Sequence, residues 1–165
     1  IVELLLKTRR VSLNTAQRYY YIHRAGSITS TRFNHHDLDA IDAWQHNYEL
    51  VGEHFPNLTA TTQMRRCWAH FYVLDKICKA SRLDPEDRSI RDRIVAFLRE
   101  NYRFIMGDTR FNASRKKAMR VLKVSYPAYR AIVRATGAKI RKCAVRAMQS
   151  STAVPVSTRI VNSPR

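Results

Sequence analysis

Three apolar stripes at helical spacing constrain this chain more than any other feature. Leu38, Ile41, Trp44, Tyr48, Val51 and Phe55 recur every three or four residues, and Phe55-Pro56-Asn57 closes the run. Met64, Cys67, Trp68, Phe71, Leu74, Ile77 and Cys78 mark a second helix expected to begin near Leu58, with Asn57 or Thr59 as its cap. Asp84-Pro85-Glu86-Asp87 reads as a helix start, with a capping acid, Pro at the first helical position and acids where the helix dipole favours them. The third stripe, Ile90, Ile94, Phe97, Leu98, Tyr102 and Ile105, is expected to run unbroken to Gly107. Each stripe leaves an apolar face that water disfavours, and three such faces bury one another as a small bundle. No apolar run reaches the roughly 18 to 20 residues that a membrane-spanning helix needs.

The flanks read differently. Leu4, Leu5 and Leu6 look like the last turns of a helix that breaks near Lys7-Thr8. Arg10 to Leu13 and Arg18 to His23 alternate as short strands, joined by a turn at Asn14 to Gln17. A two-stranded ribbon has too little apolar face to stand alone, so these are expected to be edge elements of a larger sheet. The chain also opens at Ile1 inside an apolar pattern, as a piece of a longer protein would. Beyond Gly107, Ala118, Met119 and Leu122 suggest a short basic helix. Ser125 and Pro127 start another, carrying Tyr129, Ile132, Val133, Ile140 and Met148 and interrupted by Gly137 at a cost of about 1 kcal/mol. Residues 150–165 lack periodicity and read as a disordered tail. Cys67, Cys78 and Cys143 are an odd number without metal spacing, which favours free thiols in a reducing compartment. Cys67 and Cys78 share a helix face about 16 Å apart, too far to bridge.

Charge is the second constraint. The chain carries 30 Lys+Arg against 13 Asp+Glu, and all 13 acids precede Thr109. The last third is therefore acid-free and strongly basic, and it is expected to face an anion: nucleic acid, anionic lipid or an acidic protein surface. The expected anion-binding side chains are Arg115, Lys116, Lys117, Arg120, Lys123, Arg130, Arg134, Lys139, Arg141, Lys142 and Arg146. Nucleic acid is the less favoured of these partners, because no recognition motif accompanies the charge and only Tyr126 and Tyr129 are placed to stack on bases.

Tyr19-Tyr20-Tyr21-Ile22-His23-Arg24-Ala25-Gly26-Ser27-Ile28-Thr29 carries the most chemistry. An aromatic strand delivers an Arg, whose planar fork of donors matches phosphate oxygens, and then a Gly and hydroxyls able to bond the same anion. On residues alone, an ordinary strand end followed by a turn is the favoured reading. Together with Ile1-Val2-Glu3-Leu4-Leu5-Leu6-Lys7 and Arg10-Val11, however, this run resembles the segment that closes the catalytic domain of bacterial family 2 glycosyltransferases. The resemblance covers roughly residues 1–32, and the helices that follow are similar in kind to the family's C-terminal extensions.

The resemblance implies an inverting GT-A enzyme that moves a sugar from a nucleotide-sugar donor to a glycan or lipid-linked acceptor. In such an enzyme a carboxylate deprotonates the acceptor, while a divalent metal, Mg or Mn, stabilises the departing nucleoside diphosphate. Arg24 and Ser27, with His23 beside them, match positions that contact or order the donor diphosphate. The family's acid pair is expected before Ile1 and its Asp-x-Asp earlier still, so residues 1–165 alone are expected to bind no metal and transfer no sugar. The expected fold class is mainly α: a three-helix extension at 35–107, with a short two-stranded edge element left over from a GT-A α/β catalytic domain at 1–34. Basic amphipathic helices follow at 108–149 and the tail at 150–165. The implied location is cytoplasmic, peripheral on the inner face of the cell membrane, where the basic end meets anionic lipid.

Two features invite a false reading. Asp37-Leu38-Asp39, beside His35-His36, has the letters of a metal motif, but its place at a helix start is explained by capping, and the spacing does not converge on one helix face. Trp44, Trp68 and Phe71 lie on apolar stripes and are expected in the core rather than under a sugar. His46, His54 and His70 are isolated and expected in surface or packing roles.

Overall fold

The computed structural model describes residues 2–12 and 33–136. Those residues form a mainly α unit, and no strand occurs among them. Arg10, Val11 and Ser12 belong to no regular element; the strand at 18–23, the turn at 14–17 and the tail at 150–165 lie outside the described residues.

Helix α1 (Val2–Leu6) is followed by a 3-10 turn at His35–Leu38 that leads directly into α2 (Asp39–His54). A second 3-10 turn, Pro56–Leu58, precedes α3 (Thr59–Lys79). The side-chain cap expected from Asn57 or Thr59 does not form, because the Thr59 hydroxyl donates to the Pro56 carbonyl at 2.7 Å within that turn. Helix α4 (Pro85–Glu100) starts where the sequence indicates, with the Asp84 carboxylate accepting the Asp87 N–H at 2.7 Å.

The third stripe is broken. Helix α4 ends at Glu100, and a separate α5 (Tyr102–Gly107) follows Asn101. The Asn101 backbone N–H reaches the Phe97 carbonyl at 3.1 Å, its side chain donates to the same oxygen at 2.8 Å, and that side chain accepts from Gln63. Gln63 in turn accepts from Arg66, which also reaches Gln45 on α2 and lies over the Tyr48 ring at 4.2 Å. This polar chain ties α2, α3 and the break together. Helix α6 (Ala113–Val124) and a helix at 126–136, here α7, complete the unit.

Helix α3 is its axis. Eleven of its 21 residues are buried, too many for one face, and it packs against both α2 and α4. Cys67, Phe71, Val73, Leu74, Ile77 and Cys78 are fully enclosed, with Ile90, Ile94 and Leu98 from α4 against them. Burying a side chain of this kind contributes roughly 1.5 to 3 kcal/mol. The same cluster continues through Ile105, Phe111, Met119, Leu122 and Tyr129. Gly107 therefore divides the charge of the chain but not its core, and α6 and α7 belong to the bundle. Trp68 stacks on Phe111 with ring centroids 5.6 Å apart, which places Trp68 and Phe71 in the packing; Trp44 is half-buried beneath Arg65.

Burial also governs the thiols. Cys67 and Cys78 are free and enclosed, and loss of solvation pushes their pKa up to about 12 and about 11.

Candidate anion-binding face

The cations of the basic third divide into two sets. Helix α6 begins on Asn112, whose side-chain Oδ1 accepts the Arg115 N–H at 2.8 Å. At 3.6 residues per turn, Lys116, Lys117, Arg120 and Lys123 fall within about 120° of the helix circumference. Lys117, Arg120 and Lys123 are exposed, whereas Met119 and Leu122 on the other side are fully buried. Val124, 84% exposed, shares the cationic arc, and Lys123 lies 4.2 Å from the Tyr102 ring centroid.

The second set turns inward. Arg115 sits 3.0 Å from the Asp75 carboxylate and 3.3 Å from the Tyr129 hydroxyl, over the rings of Trp68 and Phe71. Tyr129 donates to the other Asp75 oxygen at 2.6 Å. Burial first, then the Asp75 carboxylate, hold the Tyr129 phenol well above its usual pKa, so it remains a donor. Arg130 and Arg134, on α7, both donate to the carbonyls of Cys78 and Ala80 at 2.7 to 3.3 Å. These are the last carbonyls of α3, where the helix dipole attracts cations. Arg110 donates to Asp108, to the Thr61 hydroxyl and to the Ala60 carbonyl, and its guanidinium holds the Asp108 carboxyl below its ordinary pKa.

Of the expected anion-binding residues, then, Lys116, Lys117, Arg120 and Lys123 come together on one arc. Arg115, Arg130 and Arg134 are engaged within the protein. Lys139, Arg141, Lys142 and Arg146, and the residues expected to meet a donor diphosphate, His23, Arg24 and Ser27, lie outside the described residues. Asp75 was not anticipated. Its sole sign in the sequence is a carboxylate between Leu74 and Lys76 on an apolar helix.

The Asp37 and Asp39 pair does not fit a divalent metal. Asp37 is buried, accepts the Asn34 N–H at 3.1 Å and receives the Lys76 ammonium at 2.5 Å. Burial opposes the Lys76 charge, yet the hydrogen bonds it makes to Asp37 and Tyr72 raise its pKa overall. His35 lies 3.3 Å from Asp87 instead, and among the described residues no group of three His, Cys, Asp or Glu side chains is placed to hold a metal. Nor is any helix among them long and apolar enough to cross a membrane. Comparison with protein families, curated proteins and solved structures finds no match.

What this arrangement can do is electrostatic. The α6 arc is open and free of acids, which suits diffuse attraction to a layer of phosphates more than enclosure of one ligand.

Proposed function

We propose that this chain is the C-terminal portion of a family 2 glycosyltransferase, and that the outward arc of α6 holds the enzyme on an anionic membrane surface. The run from Tyr19 to Thr29 carries the reading: its aromatic strand, Arg24 and Ser27 resemble the family's donor-diphosphate segment. Phe33, four residues after that run, packs against the core of the helical unit, as an extension joined closely to that segment would. The activity of the parent enzyme is transfer of a sugar from a nucleotide-sugar donor to a glycan or lipid-linked acceptor, with Mg or Mn bound by residues outside this chain. Arg24 and Ser27 neutralise and orient the diphosphate as it leaves.

The test is sugar transfer from labelled nucleotide-sugars by the full encoded protein, wild type against Arg24→Ala. Losing a charged donor to the leaving group lowers turnover by about a hundredfold, with the melting temperature unchanged. Equal turnover in the variant overturns the assignment of Arg24. Absence of transfer from every donor, together with tight duplex-DNA binding, selects a non-enzymatic basic helical module instead.

A further inference from the structure

A second cationic feature lies away from the α6 arc and outside the acid-free third of the sequence. The loop between α3 and α4, the first half of α4 and α7 border an open, shallow cleft of about 390 Å³ lined by Ser81, Arg82, Leu83, Arg88, Arg91 and Arg130. Four of these six are arginines, and none is an acid. Of the neighbouring carboxylates among the described residues, Asp92 alone pairs with a cleft arginine. Asp84 caps α4, Asp87 meets His35 at 3.3 Å, Glu86 lies 4.0 Å from the same imidazole, and Asp92 is held side-on by Arg91 at 2.8 to 2.9 Å.

Two of the guanidinium groups are already fixed. Arg130 is held by the Cys78 and Ala80 carbonyls, and Arg91 by Asp92 and by the Tyr126 ring, 5.1 Å from its centroid. Arg82 and Arg88 are exposed and form no ion pair among the described residues. Four like charges around one cleft repel unless an anion lies between them, and a single carboxylate leaves most of that charge uncompensated. A phosphomonoester or diphosphate carries about two charges or more, with several acceptor oxygens in the geometry that arginine forks match. The Ser81 hydroxyl adds a neutral donor at the rim.

We propose that this arginine cleft is a binding site for a phosphate ester or diphosphate. It is independent of the glycosyltransferase reading, since its described lining comes from the α3–α4 loop, α4 and α7. Its ligand is either a soluble phosphate compound or the headgroup of a phospholipid, and the chemistry recognised is the same.

The experiment is isothermal titration of the full chain with pyrophosphate at fixed ionic strength. Wild type is expected to saturate at one equivalent. Arg82→Gln/Arg88→Gln is expected to bind about tenfold or more weakly, whereas Lys117→Gln/Arg120→Gln, which removes the same charge from α6, changes affinity less than about threefold. All four positions are exposed, so circular dichroism of both variants should match wild type. Equal weakening in the two variants, or no saturable binding in wild type, overturns the proposal. A second arm uses vesicles of phosphatidic acid in phosphatidylcholine. With both chains also carrying Lys117→Gln/Arg120→Gln to silence the α6 arc, release by pyrophosphate and loss of vesicle binding on adding the cleft substitutions assign a lipid phosphomonoester; vesicle binding unchanged by the cleft substitutions assigns a soluble phosphate.

Discussion

At the scale of single residues, two buried polar groups carry consequences that can be measured. His70 lies on α3 with Nδ1 2.8 Å from the Arg66 carbonyl, so that nitrogen bears the proton, and its ring stacks on Phe97 with centroids 3.6 Å apart. Burial pushes its pKa down from 6.5 to about 4. The folded protein therefore keeps His70 neutral while the unfolded chain takes up a proton, and the stability this provides is complete above pH 6.5 and is lost as pH falls to about 4. The loss is about 3 kcal/mol. Urea unfolding at pH 7.5 and 4.5 should show it, and His70→Gln, which keeps a donor but does not titrate, should flatten that part of the slope. Lys76 offers a second test. It and Asp37 are 5% and 7% exposed, so Lys76→Met leaves an uncompensated carboxylate inside the protein and should cost about 3 to 5 kcal/mol. Adding Asp37→Leu should restore much of it, measured by the same unfolding transition.

Among the elements, α6 and α7 show what a sequence reveals and what it withholds. The stripes of α2, α3 and α4, and the Asp84-Pro85 start, were legible because they depend on local spacing and capping. The end of α4 at Asn101 was not, because the apolar spacing continues across it, and the partner of its side chain, Gln63, is 38 residues away. The expectation of a donor site at His23, Arg24 and Ser27 rests on resemblance alone, and those residues lie outside the described ones. Nor could charge alone say which cations face water: Arg115 turns inward because Asp75 is 40 residues distant in sequence and adjacent in space. The sequence pattern of α6 does separate Lys117, Arg120 and Lys123 from Met119 and Leu122, and a prediction belongs to that separation. Each cation near an anionic bilayer contributes about 1 kcal/mol, so Lys117→Gln/Arg120→Gln/Lys123→Gln should weaken co-sedimentation with phosphatidylserine vesicles about a hundredfold. The melting temperature should stay near wild type, since all three side chains are exposed. Retained vesicle binding would remove α6 from any membrane role.

For the whole molecule, the continuity of the core matters more than the partition of charge. Phe111, Met119, Leu122 and Tyr129 are at most 2% exposed, and they cover the side of α3 that holds Trp68 and Phe71. A protein ending at Asp108 should therefore lose its sharp thermal transition and bind a hydrophobic dye, although every residue of the three sequence stripes is retained. The tie between α7 and α3 adds a constraint of another kind. Arg130 and Arg134 grip main-chain carbonyls at Cys78 and Ala80, and main chain is common to every amino acid. Drift at position 80 can pass unnoticed by its partners, while drift at 130 or 134 cannot, so the two sides of this one contact should age at different rates across any set of related chains.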